Sequence, residues 1–306
     1  KRSKKGRHIT GIVIVDKPAG MSSNQVLQRV KRLFDANKAG HTGSLDPLAT
    51  GVLPICLGEA TKLSTYLLDA DKQYTVRCQL GILTDSGDSD GQVIAEQPVP
   101  DYSAEQLTNI LQQFTGQQEQ IPPMFSALKH QGQPLYKLAR QGIEIERKSR
   151  LITIYHIELL ACDAESFTLQ VACSKGTYIR TLVQDIAAAL GSCGHVTVLR
   201  RTHAAGYDLQ QAYTLEKLQE LFSQGINQLD NHLLPADEAL PDWPGIQLTR
   251  EMTEDIQYGR VIQTEHLGQS ASVRLYDAEK QFIGLGHVSP DGTVSAKRLF
   301  VSGDRL

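Results

Sequence analysis

The chain has 306 residues, 41% hydrophobic and 21% charged, with a formal net charge of −3. This is an ordinary globular composition, which excludes a collagen-like or disordered chain, and the length predicts one large domain followed by a small one. No apolar run approaches the roughly 18–20 residues of a membrane span, and residues 9–15 are too short a stretch, too soon followed by Asp16-Lys17-Pro18, for an export core.

Ile12-Val13-Ile14-Val15 predicts a short buried strand, ended where Pro18 removes a donor and Gly20 permits a turn. From about Ser23, Val26, Val30 and Leu33 recur at helical spacing while Gln28, Arg29, Lys31 and Arg32 lie mostly elsewhere, which predicts an amphipathic helix with a basic outer face. Ala60, Leu63 and Leu67 suggest a second helix, and Tyr74, Val76, Cys78 and Leu80 alternate as one face of a strand. Ser103-Ala104-Glu105-Gln106 has capping-box form ahead of Leu107, Ile110, Leu111 and Phe114, and Pro122-Pro123 terminates that region.

Residues 124–150 are basic and rich in Gly and Gln, and read as a mobile excursion that closes over a ligand. Residues 151–161 and 167–173 look like paired strands, and residues 177–190 like a helix closed by Gly191. Pro235, Pro241 and Pro244 mark a linker. Beyond it, Val273-Arg274-Leu275-Tyr276, Phe282-Ile283-Gly284, an Asp291-Gly292 turn and Val294 read as a small β-rich domain. Strands and helices without βαβ regularity give an α+β class with a mixed, mostly antiparallel central sheet. The expected division is residues 1–243 and residues 244–306.

Cys56, Cys78, Cys162, Cys173 and Cys193 are odd in number and include no C-x-x-C pair, which argues against a disulfide framework and for a reducing cytoplasm. The histidines show no paired ligand spacing, so neither a metal nor another cofactor is expected. Charge is segregated. Residues 1–40 carry ten Lys/Arg against two Asp/Glu, residues 129–150 six against two, and residues 69–105 two against eight. Local positive field, rather than total charge, is what a polyanion-binding face needs.

One stretch is not explained by core packing: Gly40-His41-Thr42-Gly43-Ser44-Leu45-Asp46-Pro47-Leu48-Ala49-Thr50-Gly51. Three glycines and a proline predict a constrained loop that needs positive φ, with Asp46 held at a fixed position. Taken alone, such an aspartate is expected to bond neighbouring backbone N–H groups in an Asx-type turn. With Leu53-Pro54, Leu57-Gly58 and Ala60-Thr61-Lys62 behind it, however, the stretch resembles the catalytic motif of the TruB family of RNA pseudouridine synthases, in which the aspartate is catalytic. Ser44 stands where alanine is commoner in that family. Further blocks match in order: Asp16-Lys17-Pro18-Ala19-Gly20-Met21-Ser22-Ser23; Tyr74 with Leu80-Gly81, Thr84-Asp85, Asp88 and Gly91; and Ser174 to Leu182, followed by Leu199-Arg200-Arg201. The C-terminal strands and Tyr258-Gly259-Arg260-Val261 resemble, less strictly, the PUA domain that ends these synthases.

The resemblance implies a pseudouridine synthase fold with a PUA-like RNA-binding domain. It also implies an isomerisation in which the uridine of the tRNA TΨC loop is flipped out, its N-glycosidic bond broken and the base rejoined through carbon 5. By the same resemblance, Asp46, Tyr74 and Arg180 are catalytic: Arg180 keeps Asp46 ionised against burial, and Tyr74 stacks on the base with its hydroxyl as a proton relay. His41 fills the vacated stack and Leu199 lines the base pocket. Tyr178, Lys17 and Pro18 complete the implied substrate-binding set. The implied partner is the tRNA T-arm stem-loop, bound by a monomer without guide RNA or membrane.

Four other readings compete, one of them a guide-RNA-dependent relative of the same synthases. Ser126-Ala127-Leu128-Lys129 fits S-x-x-K, the mark of an acyl-serine hydrolase. The run Asp85-Ser86-Gly87-Asp88-Ser89-Asp90-Gly91 suggests calcium, but an EF-hand register from Ser86 would end at Gln97, so an Asp-stabilised turn is the better expectation. A tRNA-binding or tRNA-folding protein without essential catalysis would carry the same basic segments.

Overall fold

A computed structural model describes residues 6–264 and 269–300; the basic string Lys1-Arg2-Ser3-Lys4-Lys5 lies outside the described residues. The apolar run near the N-terminus becomes β1 (Gly11–Lys17), buried along nearly all its length. It is followed by α1 (Ser23–Leu33), which opens on a capping box: Ser22 Oγ accepts from the Gln25 amide at 3.2 Å and the Gln25 side chain accepts from the Ser22 amide at 2.8 Å. Val26, Leu27, Val30 and Leu33 of α1 share a core with β1 residues Val13 and Val15, while Gln28, Arg29 and Arg32 face outward.

The glycine-rich stretch lies between β2 (Ala39–His41) and β3 (Thr50–Leu57), which pair antiparallel. Gly51 begins the descent into β3 at φ +106°, and a Cβ there would lie 2.1 Å from the carbonyl oxygen of Arg201. Gly51→Ala is therefore expected to cost about 3 kcal/mol or more, from left-handed strain plus backbone displacement. Urea unfolding reads this directly, and an unchanged midpoint would contradict it.

The helix predicted around residues 60–67 is instead a 3-10 segment, Gly58–Leu63, running into α2 (Ser64–Leu68). Ala60 and Leu63 are three residues apart, so three residues per turn buries both just as well. Then β4 (Lys72–Leu80) buries Tyr74, Val76, Cys78 and Leu80, as their alternation requires. β5 (Ile82–Thr84) and β6 (Val93–Glu96) flank the acidic run, where Asp85 accepts from the Gln92 amide at 2.8 Å and Asp88 from the Asp90 amide at 3.1 Å. The run is a turn capped by its own carboxylates.

α3 (Ala104–Gln113) has the expected capping box, with Ser103 and Gln106 bonded reciprocally. Between it and Pro122-Pro123 the chain forms an unpredicted strand, β7 (Gly116–Gln120), which pairs with residues 150–154. Residues 124–150 contain β8 (Lys129–His130), β9 (Gln133–Pro134) and α4 (Leu135–Ala139), the last burying Leu135 and Leu138. β10 (Arg150–Cys162) and β11 (Ser166–Cys173) form the predicted pair. α5 (Ile179–Ala189) starts two residues later than its apolar spacing suggests, because the Gln120 side chain accepts from the Tyr178 amide at 2.7 Å and holds that residue outside the helix. Gly191 follows α5 at φ +87°, in the left-handed conformation expected of it.

β12 (Gly194–Ala204) runs antiparallel to β4 and parallel to β3. The central sheet has the order β1-β3-β12-β4-β11-β10-β7, and β3–β12 is its parallel pair along that path. The mixed, mostly antiparallel α+β expectation matches this. β13 (Tyr207–Asp208), α6 (Leu215–Ser223) and α7 (Ile226–Asp230) complete this part, with α6 packing Leu215, Leu218 and Leu221 into the α1 core.

β14 (Gly245–Gln247), α8 (Arg250–Gln257), β15 (Ile262–Gln263), β16 (Ala271–Tyr276), β17 (Phe282–Val288) and β18 (Thr293–Leu299) form a second sheet in the order β14-β16-β17-β18-β15. It has its own core, including Leu248, Ile256, Val273, Leu275 and Val294. The proline-marked linker is packed down. Ala236 and Ala239 are buried, and the Trp243 ring meets Tyr66 edge-on with centroids 5.0 Å apart, so the segment is a packed wedge. No helix among the described residues is long and apolar enough to cross a membrane.

Candidate active site

The loop between β2 and β3 is pinned on every side. Leu45 and Ala49 are buried in the central core on either side of Asp46. Ser23 Oγ accepts from the Leu45 amide at 2.8 Å and donates to the Leu45 carbonyl at 3.1 Å. The Pro47 carbonyl accepts from the Gly20 amide at 2.8 Å. Arg201 donates from Nε to the Val52 carbonyl at 2.8 Å and from Nη2 to the Gly43 carbonyl at 3.0 Å, bridging the two stems. The turn itself is closed by the Asp46 main-chain carbonyl, which accepts from the Ala49 amide at 3.0 Å. The Asp46 carboxylate is directed elsewhere.

It meets Arg180 side-on. Arg180 Nε lies 2.8 Å from Asp46 Oδ2, and Nη2 donates to Oδ1 at 3.2 Å. The Arg180 side chain is 4% exposed whereas that of Asp46 is 36% exposed, so the acid is largely covered but keeps one open edge, with the guanidinium closed in behind it. Arg180 is held from the rear as well, donating to the Ser86 carbonyl at 2.6 Å and the Phe125 carbonyl at 2.7 Å, with Asp88 Oδ2 at 4.0 Å from Nε. Burial pushes the Asp46 carboxyl above the usual carboxylate range, the Arg180 charge opposes this most strongly, and Asp88 adds to the upward push.

Tyr74 projects from β4 opposite Arg201 on β12 and is packed with Leu45 and Leu199 in one core. Burial raises its phenol, while the neighbouring Arg201 guanidinium favours the phenolate, and the charge of Asp46 reaches it too. Tyr178 sits at the start of α5, its phenol raised by burial and influenced by both Arg180 and Asp46. The structure thus brings Asp46, Arg180, Tyr74, Tyr178 and Leu199 together. His41 is at the loop's entry on β2, half-buried, its basicity lowered by burial and by Arg201.

Lys17 differs from expectation. It is 0% exposed, and its ammonium donates to the carbonyls of Pro18 at 2.7 Å, Met21 at 2.6 Å and Pro47 at 3.2 Å. All three donors are spent on backbone, so Lys17 braces the Asp46 loop and has none left for a substrate; burial lowers its pKa to about 8. Pro18 is half-buried in the turn this ammonium ties down. Asp88, Ser23 and Arg201 carry positioning contacts that the sequence reading did not assign, although each stands inside a matched block. Gln120 stands in no such block, and its bonds to both the amide and the carbonyl of Tyr178 left no trace in local pattern. Ser126 and Lys129 are not on a common helix, so the S-x-x-K reading loses the geometry it needs.

Profiles of three families match successive parts of the chain: TruB family pseudouridylate synthase (N terminal domain) over residues 31–179, tRNA pseudouridylate synthase B C-terminal domain over residues 180–241, and Pseudouridine synthase II TruB, C-terminal, over residues 244–300. The chain is 48% identical over 297 residues to the tRNA pseudouridine synthase B of Nitrosococcus oceani, covering 97% of this chain and 96% of that one. It is 49% identical over 294 residues to the protein of the same name from Coxiella burnetii, covering 96% and 95%. Among solved structures, a chain of a Cbf5-Nop10-Gar1 complex superposes with TM-score 0.72 at 23% identity, over 95% of this chain and 85% of that one, a likeness of fold. Near-half identity sustained from end to end, around an aspartate presented on a pinned loop, makes this chain a member of the TruB family of pseudouridine synthases.

Proposed function

We propose that the chain isomerises the TΨC-loop uridine of tRNA to pseudouridine. The observation that carries this is the open edge of Asp46 against the closed face of Arg180: a carboxyl group available to an incoming nucleoside, with a guanidinium locked behind it. The curated relatives, named tRNA pseudouridine synthase B, support tRNA as the substrate. In this reading the target uridine leaves its loop and stacks on Tyr74, since a π-face holds a turning uracil without fixing one rotation. The C1′–N1 bond breaks, the base turns, and a C1′–C5 bond forms; the C5 proton leaves, relayed by the Tyr74 hydroxyl, and N1 gains a proton. Asp46, Tyr74 and Arg180 are the proposed catalytic residues. Leu199, Tyr178 and Pro18 line the base, and His41 occupies the vacated stack.

The proposal divides the chain into residues 1–243, a catalytic domain, and residues 244–306, a PUA-like RNA-binding domain. Residues 124–150 clamp the RNA. Support for the clamp is the Phe125 carbonyl on Arg180, which ties that segment to the ion pair. The chain acts in the cytoplasm as a monomer and without guide RNA. The test is purified chain plus an unmodified tRNA transcript tritiated at uridine C5, with no other component. Release of one tritium per tRNA is expected, and a requirement for an added guide RNA or protein would overturn independent action.

A further inference from the structure

Arg201 is 1% exposed, among the largest fully buried side chains of the molecule. No carboxylate lies within ion-pair distance of it among the described residues, whereas its neighbour Arg200 makes an ordinary pair with Asp16 at 2.8 and 3.1 Å. The ionisable groups that feel Arg201 include Lys17, His41 and Lys72, cationic when protonated, and the acids Tyr74 and Cys173, whose own ionisation burial opposes. A buried cation without a counter-ion is costly, and an apolar side chain would join these strands more cheaply. Its contacts indicate what the cost secures. Two donors hold Gly43 and Val52, the residues on either side of the Asp46 loop; the Arg201 main chain fills the space over Gly51; and the same side chain lies beside Tyr74 across β12 and β4. Burial excludes Arg201 from touching RNA itself.

We infer that Arg201 is a positioning residue of the proposed isomerisation, locking the Asp46 loop and the Tyr74 ring into one rigid unit. This rests on the functional reading above. An error of about 1 Å in such a unit costs on the order of 100-fold in rate. The test is the full chain carrying Arg201→Met or Arg201→Lys, measured for single-turnover rate at saturating tRNA, tRNA affinity, and hydrogen exchange of the amides of residues 43–52.

The expected result for Arg201→Met is a rate lowered by about 100-fold, affinity within about threefold of wild type, and loop amides exchanging about tenfold faster or more. Arg201→Lys should fail to restore the rate, since a tetrahedral ammonium does not reproduce the planar fork that sets Nε on the Val52 carbonyl and Nη2 on the Gly43 carbonyl. If the methionine variant does not fold, the lysine variant carries the test. A folded variant with wild-type rate, with wild-type loop exchange, or with its whole loss in affinity would overturn the inference. A wild-type chain that makes no pseudouridine would defeat the functional reading, and the exchange measurement would still decide whether Arg201 braces the loop.

Discussion

Asp46→Asn is expected to bind tRNA with unchanged affinity, within about threefold, and to lose product formation by about 10,000-fold or more, the scale of removing a nucleophile or its equivalent. The substitution is nearly isosteric. The loop does not depend on the carboxylate for its shape: Leu45 and Ala49 anchor it in the core, Ser23 holds the Leu45 main chain, and Arg201 joins its stems. An asparagine can turn its carbonyl oxygen toward Arg180 Nε and keep one of the two bonds. What it cannot supply is a full negative charge facing the nucleoside. Filter binding measures the first part and tritium release the second. Product at the normal rate would remove Asp46 from the mechanism. Retained binding without product would also separate an enzyme from a tRNA-folding protein that needs no catalysis, since the latter would work equally well with either residue.

Elements whose signal is local were legible. The Ser103/Gln106 capping box, the alternation from Tyr74 to Leu80 and the glycine after α5 each follow from neighbours in the chain. β7 was not legible, because Gly116-Gln117-Gln118-Glu119-Gln120 has no apolar alternation. It is a strand because it forms the end of the sheet against β10, leaving its outer side chains in solvent. How the linker packs was not legible for a related reason: its prolines report only the absence of regular structure, and burial of Ala236, Ala239 and Trp243's contact with Tyr66 depend on partners far away in sequence.

The site divides in the same way. Asp46 and its loop stood out because turn-formers and a carboxylate are crowded together in sequence. Lys17 is a lysine in a basic N-terminal segment, and nothing nearby says that it is fully buried; one of its three carbonyl acceptors, Pro47, is thirty residues on. Arg201 reaches Gly43 and Val52 only because β12 runs beside β3. Buried cations that bond main-chain carbonyls carry no side-chain pattern, so sequence assigns them to the surface by default.

Replacing Arg180 should shift the pH dependence as well as the rate. Burial favours protonated Asp46 and the Arg180 charge is the main force against it, so Arg180→Met raises the Asp46 pKa further, leaving only the weaker charge of Lys17 to oppose burial and Asp88. The acid limb of the rate profile, which follows ionisation of Asp46, is expected to move to higher pH. At neutral pH the rate should fall on the order of 100-fold, the scale of a bidentate charge-assisted pair of about 1.5–3 kcal/mol, and recover partly in alkali. The sign for stability is related. A carboxyl whose pKa is raised on folding contributes stability in acid that is lost as pH rises through the folded value, so the melting temperatures of variant and wild type should be nearest at low pH and diverge above it. Arg180→Lys keeps the charge but not the two-pronged contact, and should lose rate with a smaller shift of the limb. An acid limb unmoved in Arg180→Met would mean that Arg180 serves to hold the Ser86 and Phe125 carbonyls, and that the ionisation of Asp46 is secured by something other than the guanidinium beside it.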